Sequence, residues 1–134
     1  MRTAASAATT RARTDDHVLV VEDDRDLRDS LADALQLEGY EVVCAEHGEA
    51  ALRHLATGAR PFVILLDLMM PVMDGWTFRQ ELLKDSELAR IPVVVMTAAT
   101  ASRVASVEAD SVLFKPLEMG AVVGIIQGHR PSGA

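Results

Sequence analysis

The chain has 134 residues and a mass of 14.5 kDa, which is enough for one domain with a sizeable core and leaves no room for a second of ordinary size. Apolar residues make up 49% and charged residues 25%, the balance of a soluble globular protein, and the apolar stretch 62–66 is far too short to cross a bilayer. A single cysteine, Cys44, excludes a disulfide framework and a Cys-based zinc cluster, and fits a reducing, cytoplasmic compartment. The formal net charge is −7; Arg2, Arg11 and Arg13 put +3 on residues 1–14, so the remainder carries −10. With Lys84 and Lys115 as its only lysines, that acidic body is a poor electrostatic match for nucleic acid.

Residues 1–14 are Ala, Thr, Ser and Arg without apolar periodicity and read as a disordered tail. A strand is expected at 17–21. Leu27, Leu31, Ala34 and Leu35 then recur with helical spacing until Gly39. A second strand follows at 40–44 and a short helix at 49–56. A third strand at 61–66 is apolar on both faces, with a helix at 76–83 behind it. A fourth strand at 92–96 is also continuously apolar and leads to a helix at 100–108. Residues 112–114 form a fifth strand, and 117–127 a last helix weakened by Gly120 and Gly124. Residues 129–134 read as a disordered C-terminus, leaving 15–128 as the folded domain.

Five alternating strand–helix units, with central strands apolar throughout, predict a parallel α/β sheet covered on both faces. The flavodoxin-like, doubly wound order 2-1-3-4-5 fits right-handed crossovers. In such sheets ligands bind beyond the carboxyl ends of the strands. The first strand ends in Glu22, Asp23 and Asp24; the third in Asp67; the fourth in Thr97; the fifth in Lys115, followed by Pro116.

Each of these has an ordinary reading. Acids before a helix serve as N-caps and meet the helix dipole. Asp67 could mark where a strand leaves the core, Thr97 is β-branched, and Lys115 could be a surface lysine. Their coincidence on one edge is what those readings leave unexplained. Glu22, Asp23 and Asp67 carry −3 when ionised and Lys115 returns +1, so a divalent cation would neutralise the cluster. Oxygen-only ligands suit Mg²⁺, which takes one or two carboxylates together with phosphate oxygens. A carboxylate can then act as nucleophile toward phosphorus, with Lys115 and Thr97 meeting the oxygens of the transferred group.

The runs 18–24 (VLVVEDD), 67–75 (DLMMPVMDG), 96–98 (MTA) and 115–116 (KP) together resemble a response-regulator receiver domain of two-component signalling, over roughly residues 15–128. The resemblance implies that Asp67 is the phosphoacceptor and that Glu22, Asp23, Asp67 and the backbone carbonyl of Met69 hold Mg²⁺. It implies that Thr97 and Lys115 contact the phosphoryl group and that a cis bond before Pro116 aims Lys115 inward. Pro71 and Gly75 would shape the loop after Asp67. Asp24 fits first as the cap of the first helix. The implied donor is a histidine kinase or a histidine phosphotransfer protein, acting on a stand-alone, cytoplasmic monomer or weak dimer that signals by protein–protein contact. Neither nucleic-acid binding nor membrane insertion is expected.

Three departures from the family pattern stand out. Val112 occupies a position that is usually aromatic. The stretch between Thr97 and Lys115 is about one helical turn short, which shortens the fourth helix. The last helix has almost no charge, so the dimer typical of transcriptional regulators is not expected. Met69 and Ala99 cannot hold an attacking water with their side chains, so slow self-dephosphorylation is expected. The second functional reading is a phosphorylation-independent interaction module with this fold, favoured by Val112 and the short fourth helix. A phosphatase acting through an aspartyl intermediate carries little weight, because Met69 stands where such enzymes place a second Asp. His17, His47, His54 and His129 show no ligand spacing and read as surface or strand-edge residues. Cys44 reads as a buried small hydrophobe, and Met69, Met70, Met73 and Met96 as gap-fillers.

Overall fold

A computed structural model describes residues 17–130; the tail expected at 1–14 and residues 131–134 lie outside it. In chain order the elements are β1 (His17–Val21), α1 (Arg25–Leu37), β2 (Glu41–Ala45), α2 (Gly48–Ala56), β3 (Val63–Asp67), α3 (Gly75–Leu83), a 3₁₀ turn (Leu88–Arg90), β4 (Val93–Thr97), α4 (Ala101–Val104), β5 (Ser111–Phe114) and α5 (Met119–His129). All four strand pairings are parallel, in the order β2-β1-β3-β4-β5, so the flavodoxin-like topology is the one expected.

The side-chain period of two explains the uninterrupted apolar strands. Leu19, Val21, Ile64, Leu66, Val93 and Val95 face one helical layer and meet Ala51, Leu55, Phe78 and Leu82 of α2 and α3. Val18, Val20, Val63, Leu65, Val94 and Met96 face the other and meet Leu31, Leu35, Val122 and Ile126 of α1 and α5. Each fully buried Leu or Val contributes about 1.5–3 kcal/mol, so both faces of the three inner strands work for the fold. The edge strands β2 and β5 are only partly covered.

Local chemistry sets the boundaries. Asp24 caps α1 by accepting from Leu27 N, and Asp74 caps α3 through Thr77 N, as their residue types favour. Gly39 ends the α1 turn at φ +95°, where a side chain would be strained. The expected α4 was 100–108, but the helix holds only Ala101–Val104. Its composition of Ala, Ser and Arg gives it a single buried residue, Val104, and little to extend it. Helix α5 starts two residues later than expected and continues to His129.

Two side-chain expectations are corrected. Cys44 is exposed, near the carboxyl end of the edge strand β2, which is only partly covered. His17 is buried at the start of β1, with its Nε2 3.0 Å from Nε2 of His54 on α2. Met70 and Met96 lie in the core, whereas Met69 is half exposed. Among the described residues, no helix is long and apolar enough to cross a membrane.

Candidate functional site

The carboxyl ends of β1, β3 and β4 and the segment after β5 deliver the polar groups. Register places Asp67 beside Met96 and Thr97 beside Phe114, so β3, β4 and β5 end level with one another. Carboxylate oxygens of Glu22, Asp23 and Asp67 lie within 4.8 Å of one another. Glu22 is fully buried, Asp67 nearly so, and Asp23 is exposed, giving the cluster a buried floor and an open mouth. Lys115 reaches in from the β5–α5 segment, with Nζ 3.0 Å from Glu22 Oε1 and 3.5 Å from Asp67 Oδ2. Its backbone N–H donates to Thr97 O at 2.8 Å, and the Lys115–Pro116 bond is cis.

Further contacts fix the rim. Glu22 Oε2 accepts from Asp24 N at 3.0 Å, and Asp67 Oδ1 from Met69 N at 3.2 Å. The Thr97 hydroxyl, fully buried, accepts from Ala99 N at 2.9 Å, which leaves its own hydrogen to be donated. Gly75 N donates to Leu68 O, and a Cβ on Gly75 would sit 2.6 Å from Asp67 O; only glycine lets α3 begin this close to the strand end. Asp24 stands apart from the carboxylate trio as the α1 cap.

Burial raises the Asp67 carboxyl to about 7, with the Glu22 charge adding to the rise and the Lys115 ammonium and Met69 N–H opposing it. Burial alone would lower the Lys115 pKa; the Glu22 hydrogen bond and the Asp67 charge more than offset this and hold it above its ordinary value. The lysine thus does not offset the burial of the Asp67 carboxylate, and the cluster has capacity for further positive charge. Its all-oxygen donor set suits a hard divalent cation such as Mg²⁺.

A family model described as the response regulator receiver domain matches residues 18–127. The chain belongs to the response-regulator receiver family. Among curated relatives, the receiver is 40% identical over 119 residues to the transcriptional regulatory protein PrrA of Mycobacterium tuberculosis, covering 85% of this chain and 49% of PrrA. It spans under half the length of the curated relatives it matches first. Among solved structures, the chemotaxis protein CheY4 of Vibrio cholerae aligns with TM-score 0.77 and 30% identity, covering 87% of this chain and all (100%) of that one. The response regulator TrrA of Thermotoga maritima, solved in complex with Mg²⁺-BeF, aligns with TM-score 0.75 and 28% identity, covering 86% and 99%. The receiver is therefore a module of two-component regulation.

Three features of the receiver were not legible as functional from its residues. Arg28 on α1 donates from Nη1 to Glu22 O at 2.9 Å and to Asp23 O at 3.4 Å. In sequence it is one charged residue on a helix with many. Val72, in the loop after Asp67, has φ +69° and is bracketed by a 2.7 Å bond from Met73 N to Pro71 O, a strained three-residue turn. Arg103 stacks its guanidinium 4.7 Å from the Trp76 ring centroid, joining α4 to α3.

Proposed function

We propose that this receiver accepts a phosphoryl group at Asp67 from the phosphohistidine of a histidine kinase or histidine phosphotransfer protein, and that it signals through its altered surface. The observation that carries the reading is the convergence of three carboxylates and one ammonium: Glu22, Asp23 and Asp67 oxygens within 4.8 Å, and Lys115 between Glu22 and Asp67. Bound Mg²⁺, held by Glu22, Asp23, Asp67 and the Met69 carbonyl, would supply the missing positive charge and keep Asp67 ionised.

One Asp67 oxygen forms the new P–O bond, and the P–N bond of the donor breaks with its electron pair returning to the imidazole nitrogen. Lys115 Nζ, already 3.5 Å from Asp67 Oδ2, meets one phosphoryl oxygen. The Thr97 hydroxyl, whose oxygen already accepts from Ala99 N, donates its hydrogen to another. The receiver acts on itself rather than on a released substrate, so it is a switch and not an enzyme in the turnover sense. Met69 and Ala99 offer an attacking water no side-chain hydrogen bond, which favours a long-lived phosphorylated form.

A second reading, a phosphorylation-independent interaction module, is favoured by one observation. Val112 lies on the face shared by Val95, Thr97 and Phe114, and the α4 beside it is a single turn. Incubation with Mg²⁺ and acetyl phosphate separates the two. The expected result is a mass gain of one phosphoryl group that Asp67→Asn abolishes, with a change in Trp76 emission on addition of beryllofluoride. An unchanged mass in the unsubstituted protein would leave the interaction module standing.

A further inference from the structure

The receiver's acidic pair depends on a very short piece of backbone. The last sheet bond of this strand end runs from Glu22 N to Ala45 O, at 3.1 Å. The first helical bond of α1 runs from Arg28 N to Asp24 O, at 2.9 Å. Between them lie the carbonyls of Glu22 and Asp23, past the sheet ladder and before the helix ladder. Neither the sheet ladder nor the helix ladder supplies these carbonyls with a donor. Arg28 supplies it from one turn into the helix, its single Nη1 shared between Glu22 O at 2.9 Å and Asp23 O at 3.4 Å.

Those two carbonyls belong to the two peptide planes that flank Asp23. Holding both planes holds φ and ψ of Asp23, and with them the direction of its Cα–Cβ bond. This matters because the Asp23 side chain is exposed, so its aim is set by the backbone rather than by packing. Glu22 is held from the other side, through Asp24 N on Oε2 and Lys115 on Oε1. We propose that Arg28 is a positioning residue for the divalent-cation site: by fixing the two peptide planes around Asp23 it keeps that carboxylate within reach of Glu22 and Asp67. The inference rests on the Mg²⁺ reading above and adds to it a residue outside the coordinating set.

Two effects of Arg28 oppose each other. As a positioner it strengthens cation binding. As a positive charge near the acids it weakens cation binding by Coulomb repulsion. The sign of the change on removing it therefore tells which one governs. Outer groups that orient metal ligands typically change affinity ten- to a hundredfold when removed. Because one nitrogen makes both contacts, a lysine ammonium can replace it.

The test is Mg²⁺ titration calorimetry on the unsubstituted protein, Arg28→Met and Arg28→Lys, with thermal melts in chelator to show that each is folded. Arg28→Met is expected to weaken Mg²⁺ binding about tenfold, and Arg28→Lys to return it to within about threefold. Equal or tighter binding by a folded Arg28→Met overturns the proposal and leaves Arg28 as a structural cap or a repelling charge. Should Arg28→Met fail to fold, Arg28→Ala, which favours the helix, takes its place with the same two outcomes. No heat of Mg²⁺ binding in the unsubstituted protein sinks the metal reading itself, a different outcome from unchanged affinity in the variants.

Discussion

Val72 shows how a single residue can be set against its own preferences. It is β-branched and 73% exposed, yet holds φ +69° in the loop that follows Asp67. Positive φ for such a residue costs about 1–3 kcal/mol, and an exposed Val returns little of this through packing. Asn tolerates positive φ far better. Val72→Asn is therefore expected to raise stability by about 1 kcal/mol, read as a higher urea midpoint at unchanged m-value. A midpoint equal to or below that of the unsubstituted protein would show that the turn is not strained. Residue type predicted the Asp24 cap, which accepts from Leu27 N; the Asp74 cap, accepting from Thr77 N, follows the same chemistry but is not among the sequence expectations. Residue type failed for Cys44 and His17, whose burial depends on which strand is an edge and which helix covers it, and neither is a local property.

At the scale of elements, α4 is the weak member. Its intrahelical bonds are few: Val104 N and Arg103 N to Thr100 O, and Ala105 N to Ala101 O. Isolated helices this short do not persist, so α4 is held by its contacts. Val104 is buried, and Arg103 lies over Trp76 while its carbonyl accepts from Trp76 Nε1 at 3.4 Å. A cation–π pair at an exposed site contributes about 0.5–1 kcal/mol. Arg103→Ala is thus expected to speed hydrogen exchange at the Arg103, Val104 and Ala105 amides by about two- to fivefold, while core strand amides stay unchanged. Uniform exchange rates across both proteins would mean that Val104 alone anchors the turn. The contact joins residues 27 apart on two helices, so no local pattern foretells it. The sequence spacing did reveal that this stretch is short and that the fourth helix bears the loss; it did not reveal how far, since a helix over 100–108 is expected and only Ala101–Val104 is helical.

For the molecule as a whole, the apolar runs specified a sheet covered on both faces, because only that arrangement removes every residue of β1, β3 and β4 from water. Polar residues at the ends of those runs then fell on one edge by topology, and this is why Glu22, Asp23, Asp67 and Lys115 were legible before their distances were. What stayed hidden, Arg28 above all, acts on backbone atoms and leaves no residue-type signature.

The same crowding at the edge couples the site to the stability of the entire receiver. With no metal bound, the Asp67 carboxyl titrates near 7, because burial first and the Glu22 charge next disfavour its ionised form, against about 3.9 in an unfolded chain. Between roughly pH 4 and 7 the folded protein holds a proton that the unfolded chain has lost. Stability from this group therefore declines as pH rises through that window, by on the order of 2–4 kcal/mol in all. His54 works in the opposite sense: burial, and then the His17 charge, lower its pKa, so its contribution is lost as pH falls below about 6.5. The two must be separated, and Asp67→Asn does so, since it removes the first and keeps the second. In chelator, the melting temperature of Asp67→Asn is expected to match the unsubstituted protein near pH 4 and to exceed it by roughly 5–10 °C at pH 8. Adding Mg²⁺ at about a hundred times its dissociation constant should restore about 2.7 kcal/mol to the unsubstituted protein at pH 8. The gain should shrink toward pH 5, where a proton competes for the Asp67 carboxylate. A difference between the two proteins that stays flat from pH 5 to 8 would show that Asp67 ionises without strain and that the cluster has no need of a cation.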